Sequence, residues 1–248
     1  MWTVTTETAT RQRRGLPGPP PAGVVIDLDD TLYPHVSYLD GAAAAVGEAA
    51  AASGLNAAAI TTALRTQLHA GSDRGGTIDR ALTSCGIPRE AVAAVLPRLL
   101  AAFVAYQPTV LPLYPGTREA LVALRGRYPL VCLTDGSPVL QRAKLAAAGL
   151  TEAFDAIVIT DELGGRPSRK PHPSGLRHAA ELIGCPVEEL VVVGDRPGKD
   201  VAIAVAAGAR SIRVTTGEYA DAPDSPTATA VADSFATAAE LLLSSPSG

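Results

Sequence analysis

The chain has 248 residues, a formal net charge of −4 and 47% hydrophobic residues, enough for one large core or two modest ones. Its acidic balance and 4% aromatic content argue against a polynucleotide partner, which needs a basic face and stacking rings. Every long apolar run is broken by Gly, Pro or charge, so no membrane span is expected.

Residues 1–22 start Thr-rich, pass through Arg11-Gln12-Arg13-Arg14 and end in a Pro/Gly stretch. Lacking an apolar segment, they read as a disordered tail and not as a secretory signal. Val24 to Leu28 is a short β-branched run, the pattern of a buried strand. Ser37 opens a helical pattern to about Ala52, with Gly54 as its stop. Asn56 caps a second helix reaching about His69, and Gly71–Gly76 is a polar loop. Thr77 starts a third helix ending at Gly86. A fourth runs from Pro88 to about Tyr106, with Pro97 expected to break or kink it. Residues 36–110 hold no convincing strand.

Beyond that block the pattern alternates. Helix is expected over Thr117–Arg125, strand over Pro129–Thr134, and helix from Pro138 after a Ser137 cap to Gly149. Ala156–Thr160, Leu190–Val193 and Ser211–Val214 read as strands, separated by helices over Pro173–Ile183 and Lys199–Ala207. A short strand at Thr229–Ala232 and a helix to about Leu243 close the pattern, with Ser244 to Gly248 as a tail. Alternation of this kind predicts an α/β fold: a Rossmann-like parallel sheet with helices on both faces. Residues 23–35 and 111–243 form this core, and 36–110 a small all-helical cap domain inserted after strand one. Cys85, Cys132 and Cys185 are far apart and odd in number. They read as small apolar residues in a reducing compartment, and the chain as cytoplasmic.

Three strands run into chemistry. Strand one ends at Asp27 and Asp29, the strand at 129–133 ends at Thr134-Asp135-Gly136-Ser137, and the strand at 190–193 ends at Gly194-Asp195 with Asp200 beyond. Lys170-Pro171 follows the strand at 156–160. In a parallel sheet these carboxyl ends share one edge, so the acids, the hydroxyl and the lysine converge in one crevice. Such a set suits phosphoryl transfer to a carboxylate. Asp27 sits in line with phosphorus as the nucleophile. Asp27 and Asp195 supply oxygen ligands for Mg²⁺. Lys170, Thr134 and the amides of the turns at Leu28, Asp29 and Asp135 hold phosphate oxygens. Asp29 gives the leaving alkoxide its proton.

These residues carry a resemblance. The chain is similar to the haloacid dehalogenase-like superfamily, and within it to the aspartate-nucleophile phosphatases. Asp27, Asp29 and Thr31 match the first motif and Thr134 the second. Lys170-Pro171 matches the third, and Gly194, Asp195 and Asp200 the fourth. Order and spacing agree over about residues 24–215. The resemblance implies a phospho-aspartate at Asp27, and an Asp29 that first protonates the leaving group and then activates water. It also implies a Mg²⁺ ion held by Asp27, Asp195 and the backbone carbonyl of Asp29. Thr31 and Asp200 would back this machinery, Asp200 by supporting metal waters or orienting Lys170. The halide-removing branch lacks the acid matching Asp29, so dehalogenation is not expected.

Tyr33, His35 and Arg74 are candidate substrate contacts, the first two on the flap after motif one and the last in the polar loop. His69, just before that loop, is a weaker candidate. Asp30 is expected to make a turn hydrogen bond, and Arg166, Arg169 and Arg196 to be solvated. The expected substrate is a small phosphomonoester, a sugar phosphate or a nucleoside monophosphate, because a cap excludes macromolecules. A phosphomutase and a silent binding protein of the same fold are the alternatives. Monomer and homodimer both stay open.

Overall fold

The computed structural model describes residues 15–244. Six strands form one parallel sheet: β1 (Gly23–Ile26), β2 (Leu130–Thr134), β3 (Ala156–Ile159), β4 (Leu190–Gly194), β5 (Arg210–Val214) and β6 (Ala230–Ala232). Their spatial order is β3-β2-β1-β4-β5-β6. Val25 stands opposite Val131 on one side and Val192 on the other. The chain first winds outward from β1 through β2 to β3, then returns to the far side of β1 and winds out again. The reversal falls between β1 and β4, where open α/β sheets leave a crevice outside the strand ends.

Strand geometry sends alternate residues to opposite faces. Val24 and Ile26 enter one apolar cluster, shared with Leu124, Phe235 and Leu242. Val25 enters the other, with Leu176, Ala179 and Ile203. The first face is covered by α5 (Thr117–Arg125) and α9 (Phe235–Leu243). The second is covered by α7 (Ser174–Ile183) and α8 (Ala202–Ala207). β1, β2 and β4 are buried along their whole length, as central strands coated on both faces must be.

Between β1 and α5 lie α1 (His35–Ala51), α2 (Ala57–His69), α3 (Thr77–Ser84) and α4 (Arg89–Ala105). Asn56 caps α2, accepting from the Ala59 amide at 3.1 Å. In α1 the stripe Leu39, Ala42, Ala43, Val46 and Ala50 is buried at helical spacing. Gly41 lets Tyr106 approach this helix, since a Cβ there would lie 2.0 Å from the tyrosine oxygen. No described helix is long and apolar enough to cross a membrane.

Several boundaries differ from the sequence reading. α1 begins at His35, two residues before the expected Ser37, after an extended Pro34 with no side-chain cap. α4 continues through Pro97. The expected helix from Lys199 opens as a wide π-type turn, Pro197–Val201, before α8 (Ala202–Ala207). Part of the expected N-terminal tail is packed. Leu16 is buried, its amide donates to the Leu241 carbonyl at 3.1 Å, and Arg210 donates to the Pro17 carbonyl at 2.9 Å. The rest of that stretch, residues 1–14, and the end at 245–248 lie outside the described residues.

Candidate active site

The acids sit at the sheet's switch point because β1 and β4 are neighbours and each ends in one. The Asp27 amide donates to the Val193 carbonyl at 2.9 Å, which continues the β1–β4 ladder to the strand end. Asp27 is 7% exposed, Asp195 1% and Asp200 1%. Lys170 (5% exposed) reaches in beneath them, with its ammonium 2.5 Å from Asp27 Oδ1, 2.7 Å from Asp200 Oδ1 and 3.1 Å from the Leu133 carbonyl. Burial works against the Lys170 charge, but Asp200 and Asp27 hold its pKa well above the ordinary lysine value. Burial pushes Asp27 up to about 7, aided by Asp200 and opposed by Lys170. Burial and Asp200 push Asp195 well above the usual carboxylate range.

These shifts share one cause. Three carboxylates are buried together with one ammonium, which bonds Asp27 and Asp200 but not Asp195. Ligand oxygens of Asp27, Asp195 and Asp200 lie within 4.8 Å of one another. Both Asp195 carboxylate oxygens are buried with no hydrogen-bond partner. Buried acceptors left unsatisfied are costly. An all-oxygen donor set with surplus negative charge fits a hard divalent cation. Gly194 is part of this packing, because a Cβ on it would lie 2.3 Å from Asp200 Cγ.

Asp29 points to the other side of Asp27. Lys144, on α6 (Pro138–Ala147), donates to both its oxygens at 2.9 and 2.8 Å. Tyr33 donates its phenolic hydrogen to Asp29 Oδ1, and Gln141 approaches Oδ2 at 3.4 Å. His35 Nε2 lies 4.0 Å from Oδ1. Burial raises the Asp29 pKa, but Lys144, His35 and Tyr33 outweigh it and hold the carboxyl well below its ordinary range. Burial lowers His35 to about 4. Thr134 accepts from Gln141 Nε2 at 2.5 Å, so Gln141 links the hydroxyl to Asp29. Asp135 accepts from the Lys170 amide, Thr160 and Lys199, each at 2.9 Å, which ties the β2 turn to both basic loops.

A cavity of about 840 Å³ opens over these groups, lined by Asp27, Asp29, Thr134, Asp135 and Lys170 below and by α1, α4 and the polar loop above. Asp195 and Asp200 lie behind Asp27 and do not line it. His35 does line it, whereas Tyr33 is fully buried and reaches it only through Asp29. Leu28 is fully buried, and its carbonyl accepts from the Leu32 amide at 3.1 Å. Thr31 was expected to back the ligands; it is fully buried, and its hydroxyl has no hydrogen-bond partner. Asp30 makes the expected turn bond, accepting from the His35 amide at 2.9 Å, and also accepts from the distant Glu218 amide at 3.2 Å.

Arg74 is exposed and does not line the cavity; Ser72 and Asp73 take its place. His69 instead faces Asp40, 3.1 Å away. Ser72 donates to Glu218 through its amide at 3.1 Å and its hydroxyl at 2.5 Å. Tyr219 donates to Asp73 at 2.9 Å. Arg196, expected on the surface, is only 16% exposed at its side chain. It lies 4.1 Å over the Tyr219 ring, 3.6 Å from Glu218 and 3.9 Å from Asp73. Arg169 is half-buried and paired with Asp161 through two 2.7 Å bonds, while Arg166 is exposed as expected.

Gln141 and Lys144 were missed by the sequence reading. A signal was present: both fall on the stripe of α6 that carries Leu140, Leu145 and Ala148, where polar side chains need buried partners.

The haloacid dehalogenase-like hydrolase family model matches residues 21–208. A glyceraldehyde 3-phosphate phosphatase from Methanopyrus kandleri is 33% identical over 208 residues, covering 80% of this chain and 85% of its own. A phosphoglycolate phosphatase from Neisseria meningitidis is 33% identical over 203 residues, covering 80% and 81%. Among solved structures, a HAD family hydrolase from Deinococcus radiodurans with bound phosphate and sodium superposes with a TM-score of 0.60 at 26% identity. That match covers 90% of this chain and 98% of the other. The chain belongs to the haloacid dehalogenase-like hydrolases. Within that family it is a phosphatase, a hydrolase acting on phosphate monoesters.

Proposed function

We propose that the chain is a Mg²⁺-dependent phosphatase of small phosphorylated metabolites, sugar phosphates or nucleoside monophosphates, that works through a phospho-aspartate at Asp27. The observation that carries the reading is Asp27 itself. Its carboxylate lies 2.5 Å from a buried ammonium, at the switch point of a parallel sheet, and faces a cavity shared with Asp29 and Thr134.

Asp27 attacks phosphorus, and the bond from phosphorus to the leaving oxygen breaks. Lys170 and Thr134 hold the phosphate oxygens, and Lys170 is kept charged by Asp200 behind it. Asp29 supplies the leaving oxygen with a proton, then takes one from the water that attacks the phospho-aspartate, whose bond from phosphorus to the Asp27 oxygen breaks to release phosphate and restore the carboxylate. In the structure Lys144 holds Asp29 in its ionised form, the form that suits the second step. A dianionic phosphate arriving beside Asp29 opposes that hold, because a neighbouring negative charge favours the protonated acid. Asp27, Asp195 and the Asp29 carbonyl would hold Mg²⁺, which when bound supplies charge neutralisation and polarises the phosphoryl oxygens. Residues 36–110 act as the cap over a core of 23–35 and 111–243, which favours small substrates.

Phosphate release from a panel of sugar phosphates and nucleoside monophosphates, with and without Mg²⁺, tests the reading. Metal-dependent release that disappears in Asp27→Asn is the expected result. An isomerised product without free phosphate would mark a phosphomutase, and no turnover across the panel would mark a binding protein.

A further inference from the structure

The phosphatase chemistry accounts for the floor of the cavity and leaves its roof unexplained. Besides Ser72, Asp73 and Gln107, the lining on that side is apolar or aromatic: Leu39, Phe103, Val104, Tyr38 and Tyr106. The Tyr38 and Tyr106 rings are 5.7 Å apart and tilted by 42°. The Lys144 ammonium, 4.4 Å from the Tyr38 centroid, covers part of that shelf. Val139 and Leu140 face it from the core. No Lys or Arg of residues 36–110 lines the cavity, and the one carboxylate that this block contributes is Asp73. His35, at the block's entry, has its ring against Asp29.

Of the core cations that line the cavity, all but Arg166 are committed. Lys144 pairs with Asp29, Lys170 with Asp27 and Asp200, and Lys199 with Asp135, all within 3 Å. Arg169 pairs with Asp161 and Arg196 with Glu218. Arg166 stands exposed on the core side of the mouth, where its charge acts on Asp161. A leaving group with its own carboxylate would therefore meet aromatic rings, Gln107, Asp29 and Asp73, and away from Arg166 at the core side of the mouth would have to displace an existing partner to find a cation. Desolvating an unpaired carboxylate is strongly unfavourable, whereas an apolar face gains by covering the shelf.

Given that phosphate is bound as proposed above, we infer that the site selects phosphomonoesters whose leaving group is uncharged and presents an apolar or ring face, and that it discriminates against carboxylate-bearing leaving groups. Phe103 and Tyr106 set the first preference. The missing cation on the roof sets the second.

Ethyl phosphate, benzyl phosphate and 2-phosphoglycolate test this on the full chain with Mg²⁺, since all three release a primary alkoxide and differ mainly in the group that its carbon carries. The expected order of kcat/KM is benzyl phosphate above ethyl phosphate by about tenfold, on the scale of apolar pocket discrimination, with 2-phosphoglycolate below both. Phe103→Ala should shrink the benzyl-to-ethyl ratio. Val104→Arg, at an exposed position on the mouth, should raise the phosphoglycolate-to-ethyl ratio by about tenfold. If 2-phosphoglycolate is the best substrate, or if neither variant moves its ratio, the inference is overturned while the phosphatase reading stands. If no probe releases phosphate, the phosphatase reading fails and the inference falls with it.

Discussion

Replacing Lys144 with methionine tests the most consequential contact in the site. The Lys144 side chain is 4% exposed and that of Asp29 24%, at 2.8 Å. At an effective dielectric of about 20, two unit charges at that separation attract by about 6 kcal/mol. Much of this is offset by desolvating the ammonium, so the pair's net worth is smaller. Removing one partner still leaves a half-buried carboxylate uncompensated, which costs about 3–5 kcal/mol. Asp29 keeps Tyr33, Gln141 and some water, so the low end, about 3 kcal/mol, applies. For a chain of this size that lowers Tm by roughly 6–12 °C. Thermal melts of the wild type, Lys144→Met and Lys144→Met/Asp29→Asn at pH 7 check it. The double variant should recover part of the loss, because it removes the stranded charge. The pH dependence has a definite sign. Asp29 is held below its unfolded pKa of about 4, so its share of stability is complete above that pH. It is lost as pH falls toward the folded value, and the gap between wild type and Lys144→Met should narrow below about pH 4. A Tm for Lys144→Met within about 2 °C of wild type at pH 7, less than 1 kcal/mol on the same scale, would refute the reasoning.

Mg²⁺ should stabilise the folded chain by satisfying Asp195 and the surplus charge around it. At a hundredfold excess over Kd the gain is about 2.7 kcal/mol, or roughly 5–10 °C in a melt. Asp195→Asn should lose most of that shift, and an equal shift in the variant would place the ion elsewhere. Lys170→Ala should cut phosphate release at least about a hundredfold, the scale of a lost transition-state stabiliser. Near-normal turnover would show that the 2.5 Å contact with Asp27 plays no part in the reaction.

The sheet and its reactive edge were readable because each central strand is a short apolar run that leads into an acid or a hydroxyl. That pattern alone places Asp27, Thr134 and Asp195 on one edge. Two kinds of residue escaped. Lys144 and Gln141 sit on a helix stripe that periodicity assigns to the core, and only the tertiary fold reveals that their partners are Asp29 and Thr134. In the polar loop, Ser72 and Asp73 face inward because Glu218 and Tyr219, 146 residues away, bond to them, and no local rule separates them from Arg74. The anchoring of Leu16 is of the same kind, since its amide bonds to Leu241 at the other end of the chain.

The junction at Arg196 joins two parts of the site. Its guanidinium stacks on Tyr219 and pairs with Glu218, both in the segment after β5, and lies 3.9 Å from Asp73 of the polar loop, while its amide donates to Asp200 at 3.0 Å. Asp195 is the preceding residue. The polar loop at the cavity mouth and the turn that carries the acids are therefore joined through this one residue. The ionic part of that junction, Arg196 with Asp73, lies near solvent, within reach of a screening length of about 8 Å at physiological salt. That one contact answers to the surrounding electrolyte, whereas the bonds from Ser72 and Tyr219 are set by the protein.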